Sequence, residues 1–126
     1  MTAEARLQNI FYRVADMPRA RRFYEHLLGP TVKFADGERW VQYSSGGATF
    51  ALGGPGEAHP SMAGAAMVFE VGDLASYQER VVAAGGKVLD RRDMGSHGET
   101  LVVSDPDGNV VHLWTRAAPD GQDGKA

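Results

Sequence analysis

An internal duplication constrains this chain more than any other feature. Residues 9–29, NIFYRVADMPRARRFYEHLLG, return in pattern at residues 66–86, AMVFEVGDLASYQERVVAAGG, at a spacing of 57. Val14 falls on Val71, Asp16 on Asp73, Met17 on Leu74 and Gly29 on Gly86, and each pair suits one structural task. Further along the spacing becomes 61, with Glu38 on Glu99, Trp40 on Leu101, Gly47 on Gly108 and Leu52 on Leu113. The change from 57 to 61 places four additional residues in the second copy, after its helix. Two similar half-units in so short a chain imply a two-fold arrangement with a cleft between them, and clefts are where small molecules bind.

At 126 residues there is room for one domain, or for two half-domains that share a core. The net charge of −3 and pI near 5.7 leave no basic face for a phosphate backbone, so nucleic acid is not an expected partner. Without cysteine there is no disulfide, thiolate nucleophile or Cys-ligated zinc. The start, MTAEARLQNI, has no apolar signal stretch, and no later run approaches the roughly 20 apolar residues of a membrane span. The expectation is a cytoplasmic protein with no membrane partner.

Local patterning turns the duplication into elements. Ile10, Tyr12 and Val14 alternate with Asn9, Phe11 and Arg13, and Met67, Phe69 and Val71 alternate with Ala66, Val68 and Glu70, which predicts a half-buried strand opening each copy. Asp16 and Asp73 then offer carboxylates to the unpaired amides of a helix start. In the first helix Ala20, Phe23, Tyr24, Leu27 and Leu28 recur at helical spacing, and Arg19, Arg21, Arg22, Glu25 and His26 read as a solvated face. Leu74, Tyr77, Val81 and Ala84 do the same in the second, and Gly29 and the pair Gly85-Gly86 supply left-handed stops. Extended runs follow near Thr31 to Phe34, Trp40 to Tyr43 and Ala48 to Leu52, then Lys87 to Asp90, Leu101 to Ser104 and Val110 to Trp114. The expected class is α+β, two βαβββ modules at 8–53 and 65–116, with a Gly- and Pro-rich linker at 54–64 and a disordered tail at 117–126.

Alternation also assigns faces. Ile10, Tyr12, Val14, Met67, Phe69 and Val71 belong beneath the helices, leaving Asn9, Phe11, Arg13, Ala66, Val68 and Glu70 on walls suited to a ligand. The turn Ser104-Asp105-Pro106-Asp107-Gly108-Asn109 is strongly marked. A register that pairs Val102 with His112 and Thr100 with Trp114 puts His112 on one side with Thr100, Val102, Val110 and Trp114.

The segments VADMPRARRFYEHLLG and VVSDPDGNVVHLW together resemble the vicinal oxygen chelate superfamily, which includes glyoxalase I, extradiol dioxygenases, methylmalonyl-CoA epimerase, fosfomycin-resistance transferases and bleomycin-resistance proteins. The resemblance spans about residues 8 to 116 and implies two βαβββ modules enclosing a cleft, often in a homodimer. It also implies that metal-dependent members draw ligands from positions occupied here by Asn9, Ala51, Ala66 and His112. Two of these side chains have no donor atom, whereas a catalytic divalent ion generally takes about three protein ligands. No cofactor is therefore expected, and an unusual divalent-metal site is the alternative. Such a site would draw on His97, Glu99, His112 or the linker residue His59, although strand pairing separates Glu99 from the level of His112 by roughly 10 Å.

His112 is the leading titratable residue. It is either a catalytic acid/base or hydrogen-bond donor to a ligand, because an imidazole ordinarily titrates near about pH 6.5, or a structural histidine satisfied by a neighbour. Arg13 and Glu70 fall at equivalent positions and either bridge one another or meet a ligand; Arg13 or Arg39 would suit a ligand carboxylate. Trp114 and Phe11 read as ligand-facing aromatics, with Tyr43 a further possible lining residue. Trp40 reads as lining or, by its match to Leu101, as core. The candidate ligand-binding set is Asn9, Phe11, Arg13, Arg39, Ala51, Ala66, Glu70, Thr100, Val102, His112 and Trp114, with no metal residue assigned. Two functions stand on these residues. One is a resistance-type protein holding a small aromatic or amphipathic metabolite or drug in a metal-free cleft. The other is a lyase, isomerase or dioxygenase of the superfamily with an atypical metal site or His112 as acid/base.

Overall fold

The structure is a computed structural model that describes residues 8–117. It divides into two compact units, Met1–Met62 and Ala63–Ala126. The first contains β1 (Ile10–Arg13), α1 (Met17–Leu28), β2 (Thr31–Asp36), β3 (Trp40–Ser45) and β4 (Ala48–Gly53). The second contains β5 (Met67–Glu70), α2 (Ala75–Ala83), β6 (Lys87–Asp93), β7 (Glu99–Ser104) and β8 (Val110–Thr115). Each is the expected βαβββ module. The sheets run β1-β4-β3-β2 and β5-β8-β7-β6, with the first strand of each parallel to the last and the others antiparallel. Among the described residues no helix is long and apolar enough to cross a membrane. The expected tail lies outside the described residues apart from Ala117.

The helices begin where the carboxylates are. Asp16 is extended and its Oδ1 accepts from the Arg19 amide at 3.1 Å. Asp73 accepts from the Ser76 amide at 2.9 Å and from its hydroxyl, and these bonds hold the Asp73 pKa below the ordinary carboxylate value. Met17, Ala20, Phe23, Tyr24 and Leu27 bury the inner stripe of α1, against Tyr12, Val14, Val41, Tyr43, Phe50 and Leu52 of the same unit's core. Leu28 is only half-buried and Met17 is buried instead, so the stripe lies nearer the start of the helix than expected. The outer face is not all solvated, because Glu25 accepts from Arg21 Nε at 2.7 Å and from the Tyr43 hydroxyl at 2.8 Å. In the second unit Leu74 and Val81 are buried with Met67, Leu101, Val103, Val111 and Leu113.

Three face assignments need correction. Ile10 is 42% exposed, and Phe69 and Val71 are only half-buried. All three lie on or just beyond β1 and β5, edge strands with a neighbour on one side only.

Strand register locates the additional residues of the second copy. Val41 faces Leu52 and Leu101 faces Leu113; since Leu52 and Leu113 match at 61, Val41 matches Leu101 at 60. Phe34 faces Gln42 and Asp90 faces Val102, so β2 matches β6 at 56, and the register slips in both at the equivalent point, Val32/Phe34 and Val88/Asp90. The spacing thus runs 57, 56, 60, 61 along the module. One residue is lost after the helix, which is why Gly85 (φ 97°) rather than Gly86 takes the left-handed role of Gly29 (φ 64°). Four are gained between β6 and β7, and one between β7 and β8. Trp40 consequently matches Thr100, not Leu101, and stands on the face away from the helix.

The marked turn is architectural. Asp105 is 2% exposed, its Oδ1 accepts from the amides of Asp107 and Asn109, and its Oδ2 accepts from Asn109 Nδ2. With Gly108 at φ 88°, it sets the pairing of Val102 with His112 and Thr100 with Trp114.

Candidate functional site

In the first unit the face away from α1 carries an aromatic pair. Phe11 and Trp40 stand 5.0 Å apart at 55°, and Phe11 lies against Gly53, where a Cβ would come within 3.0 Å of its ring. Gly53 faces both Arg13 and Trp40 in the ladder, and the absence of a side chain there makes the space for Phe11. Trp40 Nε1 donates to Gln42 Oε1 at 3.1 Å. Asn9 is half-buried and Arg13 exposed beside this pair. Arg39 sits apart, on the β2–β3 turn, where it pairs with Asp36 at 3.1 Å and has its pKa raised by that carboxylate. Ala51 is fully buried and offers a ligand no surface. Tyr43 is buried on the helix side and is not a lining residue, because its strand parity places it with Val41.

In the second unit the central strand β8 carries His112 and Trp114. His112 lies between Val68 of β5 and Val102 of β7, and Trp114 between Glu70 and Thr100. Val68 is exposed and Val102 and Val110 half-buried, so the imidazole has apolar walls. His112 is itself half-buried, and among the described residues its side chain has no hydrogen-bond or ion-pair partner. Ala66 is exposed just before β5. Thr100 is 4% exposed with its hydroxyl on the Met94 sulfur, so it supports the face from within rather than lining it.

Trp114 is held at its polar edge. Its Nε1 donates at 2.7 Å to the carbonyl of His97, in the segment that joins β6 to β7. The Arg116 guanidinium lies 5.3 Å from the ring centroid, and Arg116 Nε donates to Glu70 Oε2 at 2.7 Å. Glu70, expected to bridge to Arg13, therefore has a partner within its own unit. Arg116 is not among the residues expected from sequence, although strand alternation two positions after Trp114 places it on the same face. Gln42 stands in the same relation to Trp40.

The donor set does not fit a catalytic metal. Of the four positions implied by the resemblance, Ala51 and Ala66 lack donors, Asn9 supplies a weak one, and only His112 is a competent ligand. The alternative set is not assembled either. Glu99 is paired with Arg91 at 2.7 Å and stands opposite Thr115, three positions from His112, while the exposed His97 offers its carbonyl to Trp114. His59 accepts from the Ser61 amide in its own turn. Among the described residues no three His, Asp or Glu side chains converge. What the second face does offer is an aromatic ring, an uncommitted imidazole and valine walls, which suits a flat molecule carrying a polar group.

Comparison with known proteins bears on fold and family. The family model described as Glyoxalase/Bleomycin resistance protein/Dioxygenase superfamily matches residues 6–113. Among solved structures, a glyoxalase-related enzyme from Fulvimarina pelagi is similar at 25% identity and a TM-score of 0.75, covering 95% of each chain. A glyoxalase/bleomycin resistance protein from Albidiferax ferrireducens T118 is similar at 20% identity and a TM-score of 0.69, covering 88% of this chain and 98% of that one. Lactoylglutathione lyase from Agrobacterium tumefaciens shares the fold at 16% identity and a TM-score of 0.71, covering 90% and 96%. No curated protein matches the sequence.

Proposed function

The chain belongs to the Glyoxalase/Bleomycin resistance protein/Dioxygenase superfamily, and from that premise we propose that it binds a small aromatic or amphipathic molecule without a metal, in the manner of the superfamily's resistance proteins. The Trp114 ring supplies the stacking surface and His112 the polar contact. The observation that carries this reading is the half-buried His112 imidazole, without a partner among the described residues, on one face with Trp114 between Val68 and Val102. An imidazole half-buried between valines, with no protein partner among the described residues, keeps its donor and acceptor capacity for a ligand's polar group. The reading includes a cytoplasmic homodimer.

A thermal-shift screen of planar aromatic compounds tests it, followed by titration of hits against His112→Ala and Trp114→Ala. Each variant should weaken binding by about 1–3 kcal/mol while the chain stays folded. Unchanged affinity in both would remove the face from consideration. The same uncommitted imidazole favours a second reading, an enzyme using His112 as acid/base. That reading requires a turnover with a pH dependence that disappears in His112→Ala. Elemental analysis after incubation with Zn, Ni, Mn or Fe(II) separates both from a metalloenzyme. Near-stoichiometric retention of one metal, abolished in His112→Ala, would overturn the metal-free reading.

A further inference from the structure

Of the four residues gained around the β6–β7 connection, Asp93 and Glu99 add one rung to the ladder and the other two lengthen the turn into a strap. Where the first unit turns through Gly37–Arg39, the second runs through Met94, a 3-10 turn at Gly95–His97, and Gly98. Met94 N donates to Gly98 O at 2.8 Å, His97 N to Met94 O, Gly98 N to Gly95 O, and Gly95 N to Asp93 Oδ1. The Thr100 hydroxyl reaches the Met94 sulfur from below. Gly98 sits at φ 91°, and a Cβ there would strike the Thr115 carbonyl and fall 2.7 Å from Trp114 Nε1. Only glycine lets the strap approach this closely.

The strap answers a need the duplication created. A half-buried indole N–H requires an acceptor. Trp40 finds one in Gln42, two residues along its own strand. The residue two positions before Trp114 is His112, and Val102 occupies the place equivalent to Gln42, so the second unit has no side-chain amide where the first has the one that serves Trp40. The His97 carbonyl serves instead.

Resting on the reading that this face holds a planar molecule, we infer that the strap Met94–Gly98 is the positioning element of the binding surface: it takes up the Trp114 N–H and leaves both His112 nitrogens and the ring face away from the Arg116 guanidinium for the ligand. The ligand class follows. It is a flat ring system that stacks on Trp114 and directs one polar group to His112, and it makes no acceptor contact with the indole.

The test uses a Trp40→Phe background, in which Trp114 is the sole tryptophan, with 1-naphthol as the probe. Gly98→Ala should leave the far-UV spectrum unchanged, speed solvent exchange of the indole N–H by about tenfold and weaken 1-naphthol binding on the order of tenfold. Exchange that does not change, or faster exchange with undiminished affinity, would overturn the inference. Trp114→Ala in the same background tests the underlying reading separately. Affinity retained there defeats the functional reading, whereas affinity lost there but kept in Gly98→Ala defeats the strap alone. If Gly98→Ala does not fold, the unmodified protein decides by NMR. Saturating 1-naphthol should move the Trp114 ring resonances while its N–H stays slow to exchange. An N–H that exchanges freely, or that becomes bonded to the probe, would refute the assignment.

Discussion

Tyr43 shows how one residue ties the first helix to its sheet and makes stability depend on pH. Its hydroxyl donates to Glu25, whose carboxylate also receives Arg21, beneath the outer edge of α1. Burial first, and the bond to Glu25 second, raise the Tyr43 pKa above its ordinary 10.0. A phenol that holds its proton more tightly in the folded chain contributes stability that is complete below the unfolded value of about 10. That contribution is lost as pH rises toward the folded value, because the folded chain then binds more protons than the unfolded one. Tyr43→Phe should cost about 1 kcal/mol at neutral pH. It should also flatten the decline in stability that urea melts show as pH rises above about 10. Parallel declines in the two proteins would show that Tyr43 is not the group responsible.

At the scale of elements, turns decide more than strands do. Asp105 is nearly sealed from solvent and terminates three donors of the β7–β8 turn. Asp105→Ala would leave those donors without their acceptor and should destabilise by about 2–4 kcal/mol in a denaturant melt, whereas Pro106→Ala should cost under about 1 kcal/mol. Equal costs would mean that the proline, not the carboxylate, shapes the turn. This turn explains why the last hairpin was legible. Asp, Pro, Gly and Asn mark its place in the sequence, so the pairing of Val102 with His112 follows from counting outward. Trp40 was not legible for the converse reason. The one-residue loss after the helix and the gain between β6 and β7 fall where no periodic pattern marks them, and a one-residue slip moves a side chain to the opposite face. Matching Trp40 to Leu101 offered the core; matching it to Thr100 puts it on the open face. The strap was visible only as an excess of four residues, and its bond to Trp114 depends on a backbone carbonyl, which side-chain identities do not reveal.

For the molecule as a whole, every edge strand of the duplicated sheets carries apolar residues in solvent, and β2 and β6 carry two each. Val32 and Phe34 of β2, and Val88 and Leu89 of β6, are all exposed, Phe34 and Leu89 each at 52%. Exposed apolar positions on sheet edges are sites where chains associate. If the proposed homodimer uses either edge, Phe34→Lys or Leu89→Lys should shift sedimentation toward the monomer. Both substitutions should change stability within a unit by less than about 0.5 kcal/mol, since neither residue is in a core. A dimer insensitive to both would have its interface elsewhere.

The two tryptophans carry a further consequence. Trp40 faces Gly53 in one unit, and Thr100 faces Trp114 in the other. These are the same two ladder positions, with the bulky and the small partner exchanged. Copies that began identical cannot reach this exchange by a single substitution. The lineage of one copy passed through a form with two large residues at the pair or with none, a crowded rung or an empty one. Either route ends in the present pair of rungs, so a reconstruction of the ancestral half-module would have to choose which of the two solutions came first.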